Sequence, residues 1–259
     1  MERKIVLITG ATSGFGWATA IKFAEHNYNV IITGRRQERL EELEQIIKNT
    51  YEVNVLTLQF DIRKKEEVNS AIGSIPHAWK NIDVLVNNAG LALGLSTIQE
   101  GDINDWEIMI DTNIKGLLYI SRGIMPGMVE RNSGHIINIG SVAGKEAYGK
   151  GNVYCATKFA VDALTKSMRI DLLPHNIKVT SICPGLAETE FSLVRFKGDA
   201  ERAKVPYANF EALTAEDIAD VVYFTASRPA HVCLNDIVIT PTAQANAHDS
   251  FRKPVDNSK

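Results

Sequence analysis

Cysteine is scarce in this chain. Only Cys155, Cys183 and Cys233 occur among 259 residues. The number is odd and the spacing fits no metal-ligand pattern, so a disulfide framework and a structural metal site are both excluded. The thiols read as reduced, in a cytoplasmic protein. Long hydrophobic runs are also missing. No stretch can span a bilayer, and the apolar run that follows Met-Glu-Arg-Lys, 5–8, is too short for the core of a signal peptide. Charge of one sign is lacking too. With 28 basic and 31 acidic residues the net charge is −3, which gives no argument for a nucleic acid or a membrane as partner. Repeats, linkers and low-complexity tracts are absent, so 1–259 is expected to form one domain. The content that is present, 45% hydrophobic and 23% charged, suits a globular protein with a large core.

Short β-branched runs alternate with longer helical patterns. Strands are predicted at 5–9, 30–33, 53–60, 82–86, 136–139, 177–182 and 237–239. Most show no polar alternation, as expected of strands covered on both faces. Leu40, Leu43, Ile46 and Ile47 form an apolar helical stripe beside Glu41, Glu42, Glu44 and Lys48. Helical patterns also run over about 102–131 and 152–173, and Thr214 opens another as an N-cap followed by acids. The alternation implies an α/β fold: a single-domain, Rossmann-type, doubly wound parallel sheet with helices on both faces. Residues 186–213 lack a clear pattern and follow a strand on the ligand-binding side of such a sheet, so they are expected to cover a substrate. The polar stretch 246–259 reads as a frayed tail.

The run Thr9-Gly10-Ala11-Thr12-Ser13-Gly14-Phe15-Gly16 follows the first strand and opens a helix. Its glycines permit a tight turn and close approach of a pyrophosphate to backbone N–H groups, and the helix N-terminus favours the anion. An NAD site usually carries an acid at the end of the second strand. Here that position reads Thr33-Gly34-Arg35-Arg36. Two guanidiniums suit a 2′-phosphate and favour NADP(H), unless Arg36 merely starts a helix and faces solvent. Asp61 and Ile62 end the third strand, where they could flank adenine. Asn88, Ala89 and Gly90 end the fourth, where small residues let backbone approach a cofactor. Asn87 could touch the ligand or tie strands together.

Tyr154 and Lys158 stand one helical turn apart and project from one face. A phenol beside an ammonium is a proton donor and acceptor tuned by charge. Two ordinary helix residues would look the same, and the neighbouring motifs decide between these readings.

Together these motifs resemble the short-chain dehydrogenase/reductase family over essentially the whole chain. They are Thr-Gly-x3-Gly-x-Gly at 9–16, Asn-Asn-Ala-Gly at 87–90, Asn113, Ser141, Tyr154-x3-Lys158 and Pro184-Gly185. The resemblance implies hydride transfer between NADP(H) and a carbonyl or alcohol. Ser141 would bond the substrate oxygen, Tyr154 would exchange its proton, and Lys158 would lower the phenol's pKa and hold the nicotinamide ribose. Asn113 would hold a water linking Lys158 to solvent; its alternative is a polar residue that kinks a helix. Pro184, Gly185, Leu186 and Thr189 would contact the nicotinamide end, with Gly185 also facing substrate. Homotetramers are common in the family.

Further stretches are similar to the NADP-dependent 3-hydroxy acid dehydrogenases, which include serine and L-allo-threonine dehydrogenases: 87–94, 126–132, 134–141, 189–198 and 229–232. They imply oxidation of a short 3-hydroxy acid, or reduction of its semialdehyde. Such a substrate is a small anion, carboxylate or sulfonate, and Arg195 is the candidate to bind it, with Lys197 a poorer one. Arg195 could instead be a surface or subunit-contact residue. Reduction of sulfoacetaldehyde would use every motif above, and a non-enzymatic NADP(H) sensor is the rival from another class. No basic cluster supports docking of an acidic carrier protein. Phe251, alone in its polar tail, could close a neighbouring subunit's site.

Overall fold

Strands that are apolar on both faces need cover on both faces, and the computed structural model, which describes residues 3–253, provides it. The strands are β1 Ile5–Ile8, β2 Asn29–Gly34, β3 Val55–Gln59, β4 Ile82–Asn87, β5 Gly134–Ile139, β6 Ile177–Pro184 and β7 Asp236–Ile239. All pair in parallel, in the order β3-β2-β1-β4-β5-β6-β7. Val6 and Ile8 of β1 enter one core layer. There they pack with Phe23 of α1 (Gly14–Glu25), Leu40 of α2 (Gln37–Thr50) and Ile218 of α9 (Ala215–Ala226). Ile5 and Leu7 point the other way, toward Val68 of α3 (Lys65–Gly73), Ile120 of α5 (Leu117–Glu130) and Val161 of α6 (Asn152–Asp171).

The predicted elements hold with small shifts at their ends. The helical pattern at 102–131 resolves into α4 (Ile103–Ile110) and α5 joined by a π-helical stretch, Asp111–Gly116, that contains Asn113. Thr214 and Asp217 form a reciprocal capping box on α9.

Two regions depart from expectation. Residues 186–213 hold two short helices, α7 (Glu190–Arg195) and α8 (Ala200–Lys204), each started by a side-chain cap, Thr189 and Asp199. Helices of six and five residues are too short to show a periodic stripe. The tail does not fray where it is described. Phe251 N–H donates to the Ala243 carbonyl and Lys253 N–H to that of Asn209, and the Arg252 guanidinium donates to the carbonyls of Val205, Pro206 and Ala208. Backbone carbonyls, invisible in composition, hold it. Phe251 itself is exposed, and the remainder of the tail, 254–259, lies outside the described residues.

Chain order puts β1 beside β4, so the sheet's switch point lies where the turn after β1 meets the end of β4. Buried amides join these strands to the helices beneath. Asn87 donates to Ser121 Oγ and to Asn138 Oδ1, and Asn138 in turn donates to Thr165 Oγ1. Of the two readings of Asn87, tying strands together is therefore the one realised. Removing one partner leaves a buried polar group unmatched. Asn138→Ala is expected to lower the unfolding free energy by about 1–3 kcal/mol in urea denaturation; no loss of stability would refute the role of this ladder.

Candidate active site

The carboxyl ends of the strands enclose one cavity of about 590 Å³, within the size range of a ligand pocket. Gly10, Thr12, Ser13, Gly14 and Phe15 line it, as do Arg35, Arg36, Asp61, Ile62, Asn88, Ala89 and Gly90. Ser141, Tyr154, Lys158, Pro184, Gly185, Leu186, Thr189 and Arg195 complete the predicted set in its wall. Gly16 and Asn113 are the two predicted residues behind the wall rather than in it.

The glycine turn is built by close approach. Gly10 has φ +67°, and a Cβ there would sit 2.9 Å from Ala89 Cα. A Cβ on Gly16 would fall 2.4 Å from the Gly10 carbonyl oxygen and 2.5 Å from Asn88 Nδ2. That amide donates to the carbonyls of Thr9 and Gly10, so Asn88 clamps the turn to β4 from beneath. Gly14 (φ +51°) faces Thr189 across the cleft, and Thr189 caps α7. The result is a cradle of backbone N–H groups at a helix N-terminus, suited to a pyrophosphate.

The two arginines divide their work. Arg36 starts α2 and is exposed, as the alternative reading had it, but it does not stand free. It donates to the Thr12 hydroxyl and carbonyl and pairs with Glu190 at 3.0 Å. Arg35 is exposed at the cavity rim, and among the described residues its guanidinium has no acceptor. It is thus the freer group for a phosphate. Asp61 lines the cavity with its carboxylate already paired. Its carboxylate accepts from the Arg63 guanidinium and backbone N–H, and Arg63 holds its pKa down against the opposing effect of burial. Arg63, which sequence reading passed over, lines the same wall.

Tyr154 and Lys158 are buried on α6, as their spacing predicted. The expectation that Lys158 lowers the phenol's pKa is not met. Lys158 Nζ donates to the Ile139 carbonyl at 2.9 Å and lies 5.9 Å from the Tyr154 ring centroid. Burial pushes the phenol well above its ordinary value and Tyr148 adds to this, while the Ser141 hydroxyl and the Arg195 guanidinium oppose the shift. Burial also depresses the Lys158 ammonium, to about 8. A Cβ on Gly90 would crowd Asn113 Oδ1 at 3.3 Å and stand at ordinary contact distance, 3.6 Å, from Lys158 Nζ.

Ser141 both caps and faces the site. Its oxygen accepts from Ala143 N–H at 3.1 Å, and its proton has a long bond, 3.4 Å, to the Pro184 carbonyl. Asn113 is a clamp. Both amide protons are used, on the Leu91 carbonyl and on Thr157 Oγ1, and its oxygen accepts from Leu91 N–H. The side-chain amide is thereby committed to protein, within the π-helical stretch.

Arg195 on α7 projects over the ring of Tyr154. Its guanidinium carbon lies 5.6 Å from the Tyr154 ring centroid and 5.5 Å from that of Tyr148. Nε donates to the Gly94 carbonyl, whose own N–H donates to the Arg195 carbonyl, and Nη1 donates to Tyr148 Oη at 2.8 Å. Of its five N–H donors, the other three have no protein acceptor among the described residues. Lys197 is used elsewhere, pairing with Asp105 at 2.9 Å, which fixes α7 to α4. Tyr148 and Gln244 are site residues that sequence reading missed. Gln244 Oε1 accepts from Leu186 N–H and would meet a Cβ on Gly185 at 2.2 Å. No local motif marks either residue, because each is recruited from a distant segment.

Three comparisons bear on this site. The family model described as short chain dehydrogenase matches residues 4–199. An NADP-dependent 3-hydroxy acid dehydrogenase YdfG of Salmonella typhi is 52% identical over 244 residues, 94% of this chain and 97% of that protein. A serine dehydrogenase solved in its closed form, complexed with NADP+, superposes with a TM-score of 0.91 at 47% identity, covering 96% of this chain and 100% of that one. Sulfoacetaldehyde reductase 2 of Chromohalobacter salexigens is 45% identical over 242 residues, 93% of this chain and 95% of that protein. Among the described residues no helix is long and apolar enough to cross a membrane, and no cluster of metal-ligating side chains occurs.

A buried ammonium costs stability. The folded pKa of Lys158, about 8, lies below the ordinary lysine value of 10.5. Between those values the unfolded chain binds more protons, so stability rises with pH through that window, and below it the full penalty is present. Lys158→Met is therefore expected to raise the unfolding free energy at pH 7 by up to about 3 kcal/mol. The gain should shrink as pH climbs through the same window. A destabilised methionine variant at pH 7 would contradict the assignment.

Proposed function

The chain belongs to the short chain dehydrogenase family, and from that premise we propose that it interconverts a small 3-hydroxy acid, of the serine or 3-hydroxypropionate type, with its semialdehyde or keto form, using NADP(H). One observation carries the choice of substrate. Arg195 holds three uncommitted N–H donors in the cavity wall while its guanidinium sits 5.6 Å from the ring of Tyr154. An acid group bound to that fork places its 3-carbon beside the phenol, and a planar fork suits carboxylate.

The cavity fits the cofactor. The glycine cradle meets a pyrophosphate, Arg35 offers a free guanidinium to a 2′-phosphate, and β2 ends without the acid that selects NAD. When bound, NADP(H) supplies or accepts the hydride. The chain's own residues handle the proton. Tyr154 gives it to the substrate oxygen in reduction and takes it in oxidation. Ser141, weakly held by Pro184, donates to the same oxygen and stabilises charge there. Lys158 is placed to hold the ribose hydroxyls. Asn113 acts as a positioning residue that fixes Leu91 and the wall at Gly90. Residues 186–213, joined to α4 through Lys197 and to the tail through Arg252, form the cover of the substrate end.

The second reading is reduction of sulfoacetaldehyde. The relative of that name favours it, and a sulfonate satisfies the same fork. A panel of 3-hydroxypropionate, serine, malonic semialdehyde and sulfoacetaldehyde, each with its matching form of the cofactor, separates the two. The highest kcat/KM is expected on a carboxylate; a clear preference for sulfoacetaldehyde would transfer the proposal to the sulfonate.

Tyr154→Phe removes the proton and is expected to lower kcat by about 10²–10⁴-fold while NADPH binding persists. Undiminished turnover would refute the acid–base role. Arg195→Ala should raise KM for acidic substrates by about 10–100-fold, with a much smaller effect on a neutral aldehyde; equal effects would remove the anion-binding role.

A further inference from the structure

We infer that Tyr148 is a second recognition donor for the substrate's acid group, acting beside Arg195, and so a specificity-determining residue. This rests on the anion-binding reading of Arg195.

Hydrogen-bond accounting carries the inference. A guanidinium has donors only, so in the 2.8 Å contact between Arg195 Nη1 and Tyr148 Oη the phenol oxygen must accept. The phenol's own proton then points elsewhere, and among the described residues no protein acceptor meets it. Tyr148 is half-buried and lines the cavity. A polar hydrogen in such a wall normally finds a partner, and here the cavity is where a partner can be. Burial raises the phenol's pKa against the opposing effect of Arg195, so the group keeps its proton at neutral pH.

The surrounding backbone is shaped to hold both residues. A Cβ on Gly151 would lie 2.2 Å from the Tyr148 ring, so glycine at that position lets the ring seat. Gly94 has φ +68° and exchanges two hydrogen bonds with Arg195, fixing the guanidinium from the other side. The cation is thus held between two phenol rings, 5.5 Å and 5.6 Å from their centroids. One ring belongs to the acid–base Tyr154. The other presents a free O–H next to the fork. An acid group has two or more oxygens. One can accept from the open Nη1–H while another accepts from the Tyr148 O–H. A neutral substituent gains little from either donor.

Oxidation by NADP+ of 3-hydroxypropionate and isethionate, against methyl 3-hydroxypropionate as the uncharged counterpart, tests the idea in wild type, Tyr148→Phe, Arg195→Ala and the double variant. NADPH affinity and thermal midpoint report folding. Loss of a hydrogen bond to a charged group is expected to cost the acids about ten-fold more in kcat/KM than the ester, mostly through KM. In the double variant the phenylalanine should add less to the loss than it does alone. Equal losses on acid and ester in Tyr148→Phe, with Arg195→Ala still selective, overturn this inference and leave the fork intact. Equal losses in both single variants overturn the anion-binding reading and this inference with it. Should Tyr148→Phe fail to fold, Tyr148→His, which keeps a ring and a donor, decides: retained acid preference supports the assignment and its loss overturns it.

Discussion

An ammonium ion held out of water is the constraint around which the site is arranged. Lys158 is buried on α6, and its ammonium donates to the carbonyl of Ile139 at the end of β5. Burial of that charge is unfavourable for the fold and useful for the chemistry. It brings the lysine's pKa to about 8, within reach of proton exchange near neutral pH. The neighbours make room for it. A Cβ on Gly144 would strike the Lys158 carbonyl at 2.6 Å. Tyr154, one turn earlier, is buried by the same packing, which is why its phenol holds its proton so firmly. The groups that ease its release are Ser141, from the end of β5, and Arg195, from the cover. Under the proposed function, proton transfer and substrate recognition share one cation, Arg195, at the mouth of the site.

The sheet fixes these distances. β1 and β4 lie side by side because the chain returns to the middle of the sheet after β3, and the turn at Gly10 then rests on Ala89. Asn88 bonds the turn from below while Asn87, pointing the opposite way as alternate strand residues do, joins the buried ladder to Asn138 and Thr165. Adjacent asparagines thus do different jobs, one under the cofactor cradle and one in the core.

Much of this was legible in the sequence. The glycine turn, the missing acid after β2, the pair at 154 and 158 and the alternation of strands and helices all depend on local spacing, and local spacing is what a sequence displays. What the sequence hid is made by contacts between distant segments. Tyr148 and Arg195 meet across 47 positions, and Leu186 and Gln244 across 58. The cover's helices are short and held by caps, so no stripe announces them. The tail is tied by backbone carbonyls, whose positions composition cannot reveal. The pairing of Asp61 stayed hidden because its partner, Arg63, lies two residues on and bends back to it. Lys158 was expected to act on Tyr154 through its charge, and the carbonyl of Ile139 that draws it away belongs to another element.

The account depends most on the state of Lys158. NMR titration of the lysine Nζ groups, with the Lys158→Met spectrum used for assignment, reads that state directly in the folded protein. A midpoint near 8 is predicted for Lys158. A midpoint at the ordinary lysine value of about 10.4 would mean that the ammonium is solvated, and would contradict the buried proton-transfer site described above.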